Sequence, residues 1–330
     1  MSEHPFAQYV RILGKGKKGS RALTHEEAYT AFSMILAGDV IPEQLGAFLM
    51  LMRVKEETGA EVSGFVNATR ASIHLPKIPV DLDWSSYAGK KRHLPWYILS
   101  TLLLAENGVR VFMHGASGHT AGRIYTKNVL PTLGIQPCKT AEEVQRQLDA
   151  TNFAYMDLEH LCPKMHQIIE LRSFLGLRSP VHTISRELNP FNAPHVIQGI
   201  FHPGYRAIHE DAALCLKDAN VAILKGEGGE IERNPDVPCQ VNYIHHGELN
   251  MIEWPPLFNK RHIKDEELNV SRVAQVWNGT DEDEYAVASV IGTAAIALHL
   301  IGKAKSVDEA QSLAESLWQQ RNKSRFSDAA

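Results

Sequence analysis

An alternation of helical and strand-like segments after Pro76 is the feature that most constrains the fold of this chain of 330 residues. Short apolar runs predict buried strands at 109–113, 153–158, 196–201 and 220–224. Helical patterns lie between and after these runs, at 140–150, 164–175, 205–217, 283–301 and 306–321. Strands that alternate with helices form a mainly parallel sheet covered by helices. The pattern therefore predicts an α/β fold.

The first 75 residues carry helical patterns only. Thr24 and Glu27 have the spacing of a capping box, and helical apolar stripes that include Phe32, Phe48 and Phe65 follow. We therefore predict a small N-terminal helical domain over residues 1–75, completed by a helix over 163–178. A large α/β domain with a mainly parallel sheet flanked by helices is predicted over 76–330.

Composition limits the class of protein. No apolar run reaches the roughly 18 residues of a spanning helix, and the N-terminus lacks a basic segment followed by an apolar one. The four cysteines form no CxxC pair, and the 16 histidines lack a metal-binding spacing. We expect a cytoplasmic protein with no membrane partner and no structural metal.

The charge is unevenly distributed along the chain. The net charge is −4, which by itself argues against a nucleic-acid binder. However, residues 1–180 hold 20 Lys and Arg against 17 Asp and Glu, whereas residues 181–330 hold 14 against 21. A basic face is therefore possible on an acidic protein.

Two basic segments are candidates for contacts with phosphate. Lys15, Lys17, Lys18 and Arg21 lie in or beside a glycine-rich loop, which is equally well explained as a solvated, flexible loop. The second segment holds Lys90, Lys91 and Arg92, and it precedes a helical segment at 94–106 that is apolar nearly all round. Cations at a helix N-terminus are unfavourable unless an anion offsets them, so this segment favours an anion site.

Further candidates follow the first predicted strand. The turn from His114 to His119 lies at the strand end where α/β sheets bind ligands, and Arg123 and Lys127 come just after it. The glycine-rich turn at 226–229 also follows a strand but does not fit GxGxxG, so it is weak evidence.

Residues 162–190 carry a series of motifs in a fixed order. Their spacing resembles the HPAM, VR, LGxRT and FNLLGPLTNP motifs of the anthranilate phosphoribosyltransferases. The matching positions are Pro163, Met165, Arg172, Leu175, Gly176, Arg178, Asn189 and Pro190. The resemblance implies a nucleoside-phosphorylase-like fold with an interdomain cleft, and a homodimer formed through the N-terminal helices. It also implies a possible small-ligand cleft with Gly115, Lys164, Arg172 and Arg178.

The sequence departs from this family where the family binds diphosphate and magnesium. The stretch 83–89, with Trp84 and Tyr87, stands in place of the family's GTGGD loop, and Pro95 falls within the NxST position. The acidic pair that binds magnesium is replaced by Glu230 and, one place late, Glu232. We expect no cofactor and no transferase activity. Magnesium would be implied only for a transferase with an altered donor site, and Glu230 and Glu232 are the residual ligands.

The chain is also similar to the YbiB-type group of this family, whose members bind nucleic acid without evident transferase activity. We therefore predict a non-catalytic homologue that binds DNA or RNA, with little sequence preference, through a basic groove. The alternatives are an anthranilate phosphoribosyltransferase or related pentosyl transferase with an altered donor site, and an oligomeric scaffold with a vestigial cleft. The residues predicted to bind nucleic acid are Lys15, Lys17, Lys18, Arg21, Lys90, Lys91, Arg92, His114, His119, Arg123 and Lys127.

Overall fold

The computed structural model describes residues 3–218 and 220–326. Its N-terminal part is a bundle of four helices: α1 (Ala7–Gly14), α2 (His25–Ala37), α3 (Pro42–Lys55) and α4 (Gly59–Ser72). The predicted capping box forms, since the Thr24 side chain accepts from the Glu27 backbone while the Glu27 side chain accepts from the Thr24 backbone. Thr58 and Glu61 make the same arrangement at the start of α4. Each box satisfies backbone groups that a helix start would otherwise leave unpaired.

Aromatic packing holds the helical bundle together. Phe32 and Phe65 lie with ring centroids 5.1 Å apart, and Phe48 and Phe65 lie 6.0 Å apart. All three are about 1% exposed. These rings therefore form the core of the helical bundle. The same core includes Met165 and Ile168 from outside the bundle sequence.

The larger part of the molecule is built on a sheet whose described strands follow the order β3-β2-β1-β4-β5-β6-β7. Their bounds are β1 Leu82–Ser86, β2 Val111–Gly115, β3 Phe153–Asp157, β4 His195–Ile200, β5 Asn220–Lys225, β6 Cys239–His245 and β7 Glu248–Trp254. The first five pair in parallel, and β6 and β7 pair antiparallel. The predicted fold, a helical domain with a large α/β domain and a mainly parallel sheet, is confirmed. The boundary at 75/76 stays a prediction.

Helices cover both faces of the sheet. The longer ones are α5 (Tyr97–Glu106), α7 (Ala141–Thr151), α9 (Pro163–Glu170), α12 (Arg206–Leu216), α14 (Glu284–Leu300) and α15 (Val307–Gln320). The shorter ones are α6 (Thr126–Val129), α8 (Leu158–Leu161), α10 (Arg172–Leu175), α11 (Val181–Ile184) and α13 (Arg272–Asn278). Nearly every side chain of α5 is buried, as its sequence predicts. Within the described ranges, no helix is both long and apolar enough to cross a membrane.

Strand β1 lies inside the sheet although the sequence did not suggest it. We compared residues 83–89 with a glycine loop of the related family, but residues 82–86 form a fully buried strand between β2 and β4. The strand signal is weak because Asp83, Ser85 and Ser86 are polar. Their burial depends on partners elsewhere in the chain, such as Thr126, whose hydroxyl lies 2.8 Å from that of Ser86. The antiparallel pair β6 and β7 was also missed.

The parallel strands bring several loops to one edge of the sheet. Loops leave the carboxyl ends of β1, β2, β4 and β5 on the same side. The helical bundle reaches this edge, because Arg53 of α3 donates a hydrogen bond of 2.8 Å to the Tyr205 hydroxyl just after β4. Open α/β sheets bind ligands at this edge, so it is the candidate position of a functional site.

Candidate functional site

The loop after β1 binds an anion that belongs to the protein itself. The backbone N–H groups of Ala88 and Gly89 both donate to Oε1 of Glu230, at 2.7 and 2.5 Å. Glu230 is 1% exposed and follows β5, so its carboxylate crosses from the neighbouring loop. Backbone N–H groups after a strand are a common way to hold phosphate. Here a side-chain carboxylate takes that place.

Lys90 extends the same arrangement. Its ammonium group is fully buried and forms ion pairs with Glu227 and Glu232. The second oxygen of Glu232 accepts from the backbone N–H of Tyr97, at the first turn of α5, over 2.9 Å. Burial raises the pKa of Glu232 to about 7, against the lowering effect of Lys90. The N-terminus of α5 is therefore occupied by a carboxylate from the same chain.

This burial corrects our expectation for Lys90. We expected Lys90, Lys91 and Arg92 to offer three free cations at a helix start. Lys90 is instead ion-paired with Glu227 and Glu232 in the interior of the protein. Lys91 and Arg92 are exposed. The anion that the helix start requires is Glu232.

Aromatic side chains fill the space beside this network. Trp84 and Trp96 are fully buried, and the Tyr87 hydroxyl lies 2.7 Å from Nδ1 of His114. Nε2 of His114 lies 3.2 Å from Asp83. His114 is itself fully buried, so it cannot contact a macromolecule, contrary to our expectation. Gly115 is also a packing residue, because a Cβ there would lie 2.2 Å from the Ser86 carbonyl oxygen.

The residues in the position of the family's magnesium pair do not fit a metal ion. Both oxygens of Glu232 have partners, and Oε1 of Glu230 already accepts two backbone N–H groups, which leaves only the buried Oε2 of Glu230 without a hydrogen bond in this pair. The cationic position between Glu227 and Glu232 is filled by the Lys90 ammonium. A divalent ion would have to displace this lysine and break both interactions.

A cluster of four arginines lies next to this network. We call Arg123, Arg172, Arg178 and Arg186 the arginine cluster. Arg123 donates to the carbonyl oxygens of Ala88 and Gly89, at 3.0 and 2.9 Å, and so braces the loop after β1. Arg172 and Arg178 both donate to the hydroxyl of Thr120, in the loop after β2. The cluster therefore draws together loops and helices from distant parts of the chain.

The arginine cluster carries positive charge that its hydrogen bonds do not offset. Across the described residues, these bonds end on backbone carbonyls or on the Thr120 hydroxyl. Burial, followed by repulsion from Arg186, Arg172 and Arg123, lowers the pKa of Arg178 to about 10. Burial and Arg178 lower the pKa of His119 to about 4, so this ring is neutral near pH 7. An anion bound here would relieve the repulsion.

The cluster opens into a cleft between the helical bundle and the sheet edge. This cleft contains a cavity of about 170 Å³. Its wall includes Arg53 of α3 and, from the arginine cluster, Arg178 and Arg186. Aromatic and histidine rings complete it at Phe201, His202, Tyr205, His182 and His209. The cleft thus combines guanidinium groups with aromatic rings.

The remaining predicted residues lie in several environments. Lys15, Lys17 and Lys18 are exposed, whereas Arg21 pairs with Glu27 at 2.6 Å. Lys127 lies 3.4 Å from Asp157 and is partly neutralised. Lys164 is half-buried on α9.

The basic loop, residues 14–21, is next to the cleft-forming helix. Gly14 packs against Leu51, since a Cβ there would lie 3.1 Å from the Leu51 side chain. Leu51 and Arg53 both belong to α3, but side chains two residues apart on a helix point to different sides, so the basic loop and the cleft contact different faces of α3.

Sequence reasoning missed several cations of this edge. Arg53 and Arg186 line the cleft but were not singled out. Arg261 and Lys264 share a second surface concavity with Arg92. They belong to a segment at 255–271, which we call the strap, and the backbone N–H of Asp265 in this strap donates to the Arg92 carbonyl at 3.0 Å. The basic run Lys260-Arg261-His262-Ile263-Lys264 was the available signal.

Comparisons with known proteins place these features in context. Residues 8–73 match the helical bundle domain of a glycosyl transferase family, and residues 98–320 match the a/b domain of a glycosyl transferase family. An uncharacterized protein of Aquifex aeolicus is 28% identical over 319 residues, which cover 93% of this chain and 96% of that protein. The Escherichia coli protein YbiB, also described as uncharacterized, is 26% identical over 257 residues, or 75% and 78% of the two chains.

Enzymes are among the relatives too. The anthranilate phosphoribosyltransferase of Methylocella silvestris is 28% identical over 249 residues, covering 74% of this chain and 70% of the enzyme. The structure of the Thermus thermophilus enzyme aligns with a TM-score of 0.77 at 20% identity, over 99% and 97% of the two chains. The Saccharomyces cerevisiae enzyme, solved in complex with PRPP and Mg, also aligns at 0.77, with 15% identity over 99% and 98% of the chains. These two structures share the fold.

Proposed function

The chain belongs to the glycosyl transferase family of the anthranilate phosphoribosyltransferase type, and from that premise we propose that it is a non-catalytic member that binds nucleic acid. The observation that carries this proposal is that side chains of the protein itself occupy the position that corresponds to the family's phosphoribosyl diphosphate site. Glu230 occupies the loop N–H groups, Glu232 occupies the start of α5, and Lys90 occupies the place of a cation. Phosphoribosyl diphosphate would compete with three buried groups of the chain.

The loss of catalysis can be tested directly. We expect no phosphoribosylation of anthranilate above a heat-inactivated control. We also expect no rise in melting temperature with phosphoribosyl diphosphate and magnesium, because a ligand stabilises a protein only when it binds the folded state. An active relative, such as the Thermus thermophilus enzyme, serves as the positive control. Product formation by this chain would contradict the proposal.

The charges of the sheet edge support a phosphate-rich partner. The guanidinium groups of the arginine cluster rest on neutral acceptors, and Lys15, Lys17 and Lys18 face solvent. Arginine and lysine side chains in such positions bind phosphodiester backbones without reading the sequence. We therefore propose that the basic loop and the cleft both contact the nucleic acid. Lys90 and His114 are left out because they are buried.

A salt titration tests the nucleic-acid proposal. For about six phosphate contacts, the log–log slope of affinity against salt on single strands should be near −4. Changing Lys15, Lys17 and Lys18 together to Ala should reduce the steepness of that slope by about 2, for all sequences alike. A matched control removes three other exposed lysines, Lys77, Lys303 and Lys305, and should leave the slope unchanged. Equal effects of the two triples, or no binding at low salt, would contradict the proposed groove.

A transferase with an altered donor site is the second candidate. The cavity of about 170 Å³ beside Arg178 favours it, because this space could take a small anionic substrate. Stabilisation by phosphoribosyl diphosphate in the experiment above, together with an absence of nucleic-acid binding, would select this candidate.

A further inference from the structure

Two exposed aromatic rings accompany the arginine cluster. Phe174 is 86% exposed on α10, between Arg172 and Arg178 in sequence, and Phe201 is 46% exposed at the end of β4. Most large apolar side chains of the described residues are buried, and aromatic rings in water forfeit the free energy of burial. Two such rings at one edge of the molecule therefore suggest a bound partner with flat, apolar surfaces.

Phe201 packs against the loop after β5 but remains partly exposed to solvent. A Cβ placed on Gly229 would lie 3.0 Å from the Phe201 Cβ and 3.3 Å from its Cδ2, so the glycine lets the Phe201 side chain pack closely against the loop after β5. The ring contacts His202, with centroids 4.6 Å apart at 83°, and lines the same cavity as Arg178 and Arg186. A flat group on this ring would lie beside two guanidinium groups.

Phe174 is an exposed ring on α10, four residues before Arg178. Arg172 and Arg178 flank it in sequence, and both guanidinium groups converge on Thr120. Gly176, with φ of 73°, ends α10, the short helix that carries Phe174. Phe201 therefore lies beside arginines that can bind the phosphate next to a stacked group, and Phe174 lies between Arg172 and Arg178 in sequence.

We infer that Phe174 and Phe201 stack on unpaired nucleobases, so that this cleft takes single-stranded nucleic acid in preference to duplex. The inference rests on the proposed nucleic-acid function. In a duplex the faces of the bases cover one another, whereas a single strand presents them to aromatic side chains. Guanidinium groups beside the rings hold the phosphates, and stacking tolerates any base, so little sequence preference results.

The test compares three probes of about 12 nucleotides: an oligothymidine strand, a strand of the same length with abasic sites, and a duplex. The intact protein should bind oligothymidine at least about ten-fold more tightly than the abasic strand, although the phosphates are equal in number. Phe174→Ala, and separately Phe201→Ala, should weaken oligothymidine binding by about ten-fold. Binding of the abasic strand and of the duplex should change by less than about two-fold, with an unchanged salt slope.

Two further variants separate stacking from general apolar contact. Leu177→Ala removes a neighbouring exposed apolar side chain that is 52% exposed but has no ring, and it should not affect binding. Phe174→Trp should retain affinity. All five tryptophans of the chain are buried, so the new exposed indole provides a distinct red-shifted emission. Oligothymidine should quench this emission, and the abasic strand should not.

The outcomes distinguish the inference from the function on which it rests. A protein that binds none of the probes at low salt contradicts the nucleic-acid function itself. Equal affinity for oligothymidine and the abasic strand, or equal losses in Phe174→Ala and Leu177→Ala, overturns stacking while the function stands. A smaller molecular mass of Phe174→Ala in light scattering also overturns it, because the ring would then belong to a protein interface.

Discussion

At the scale of single residues, Lys90 completes the buried charge network beside the loop after β1. Its ammonium lies between Glu227 and Glu232 with no exposed surface. The two carboxylates raise the pKa of Lys90 despite the opposing effect of burial, so the lysine stays charged across the physiological range. The two carboxylates are therefore neutralised by a cation of the same chain.

Removal of this charge should strongly destabilise the fold. Lys90→Met leaves two buried carboxylates without their partner, and such a loss costs about 3–5 kcal/mol. The free energy of unfolding is measured by urea denaturation. The matched control is Lys91→Met, the exposed neighbour, which should change stability by less than about 0.5 kcal/mol. Similar stabilities for the two variants would show that the Lys90 ion pairs are not formed.

At the scale of elements, the strap links the sheet edge to the helices that follow. Its His262 bridges Asp236, at 2.7 Å from Nδ1, and Glu284 of α14, at 3.1 Å from Nε2. The strap also carries Arg261 and Lys264 beside Arg92. His262 is therefore one of the contacts that hold the strap and its cations in position.

The strap should loosen as pH rises. Burial acts against the charge of His262, but Asp236 and Glu284 raise its pKa above the usual value of about 6.5. The stabilisation is complete below that usual pKa and is lost as pH rises through the raised one. Hydrogen exchange of residues 258–266, corrected for its intrinsic pH dependence, should therefore speed up between about pH 6 and pH 9. His262→Gln should exchange fast at every pH, and a pH-independent parent would rule out the histidine clamp.

At the scale of the whole molecule, charge and apolar surface are arranged unevenly. The net charge is −4, yet cations gather around the cleft and the basic loop. Exposed apolar side chains remain on the helical bundle at Tyr29 and Ile41, and on the edge strand β7 at Leu249. Such positions are candidates for contact with a second copy of the chain.

A homodimer through the helical bundle stays our prediction. Light scattering at micromolar concentration should report twice 36.8 kDa. Ile41→Asp, at a side chain 48% exposed before α3, should shift the mass toward the monomer. Leu249→Asp, at a side chain 50% exposed on β7, is the matched control and should remain dimeric. Dissociation by the second variant alone would place the interface at the sheet edge instead.

The sequence by itself determined the features that depend on neighbouring residues. The capping boxes, the apolar run of α5 and the alternation of strands and helices are all local patterns, so they predicted the helical domain and the parallel sheet. The absence of glycines at 83–88 and the presence of Pro95 also mark where the sequence departs from the motifs of the family that it resembles, and the changed donor site inferred from them stays a prediction. These predictions need only the spacing of residues along the chain.

Only the tertiary structure decided which charged side chains are free and which are paired within the protein. Lys90 and Glu232 are separated by 142 residues, and Ala88 and Glu230 by the same number, so no local pattern could show that they meet. The arginine cluster likewise forms from loops and helices that parallel strands bring to one edge. A basic motif in sequence gives the sign of a charge. The fold decides which partner each charged side chain meets, and therefore whether it is free to bind a ligand. The reason is that ion pairing acts through space over a few ångströms and not along the chain.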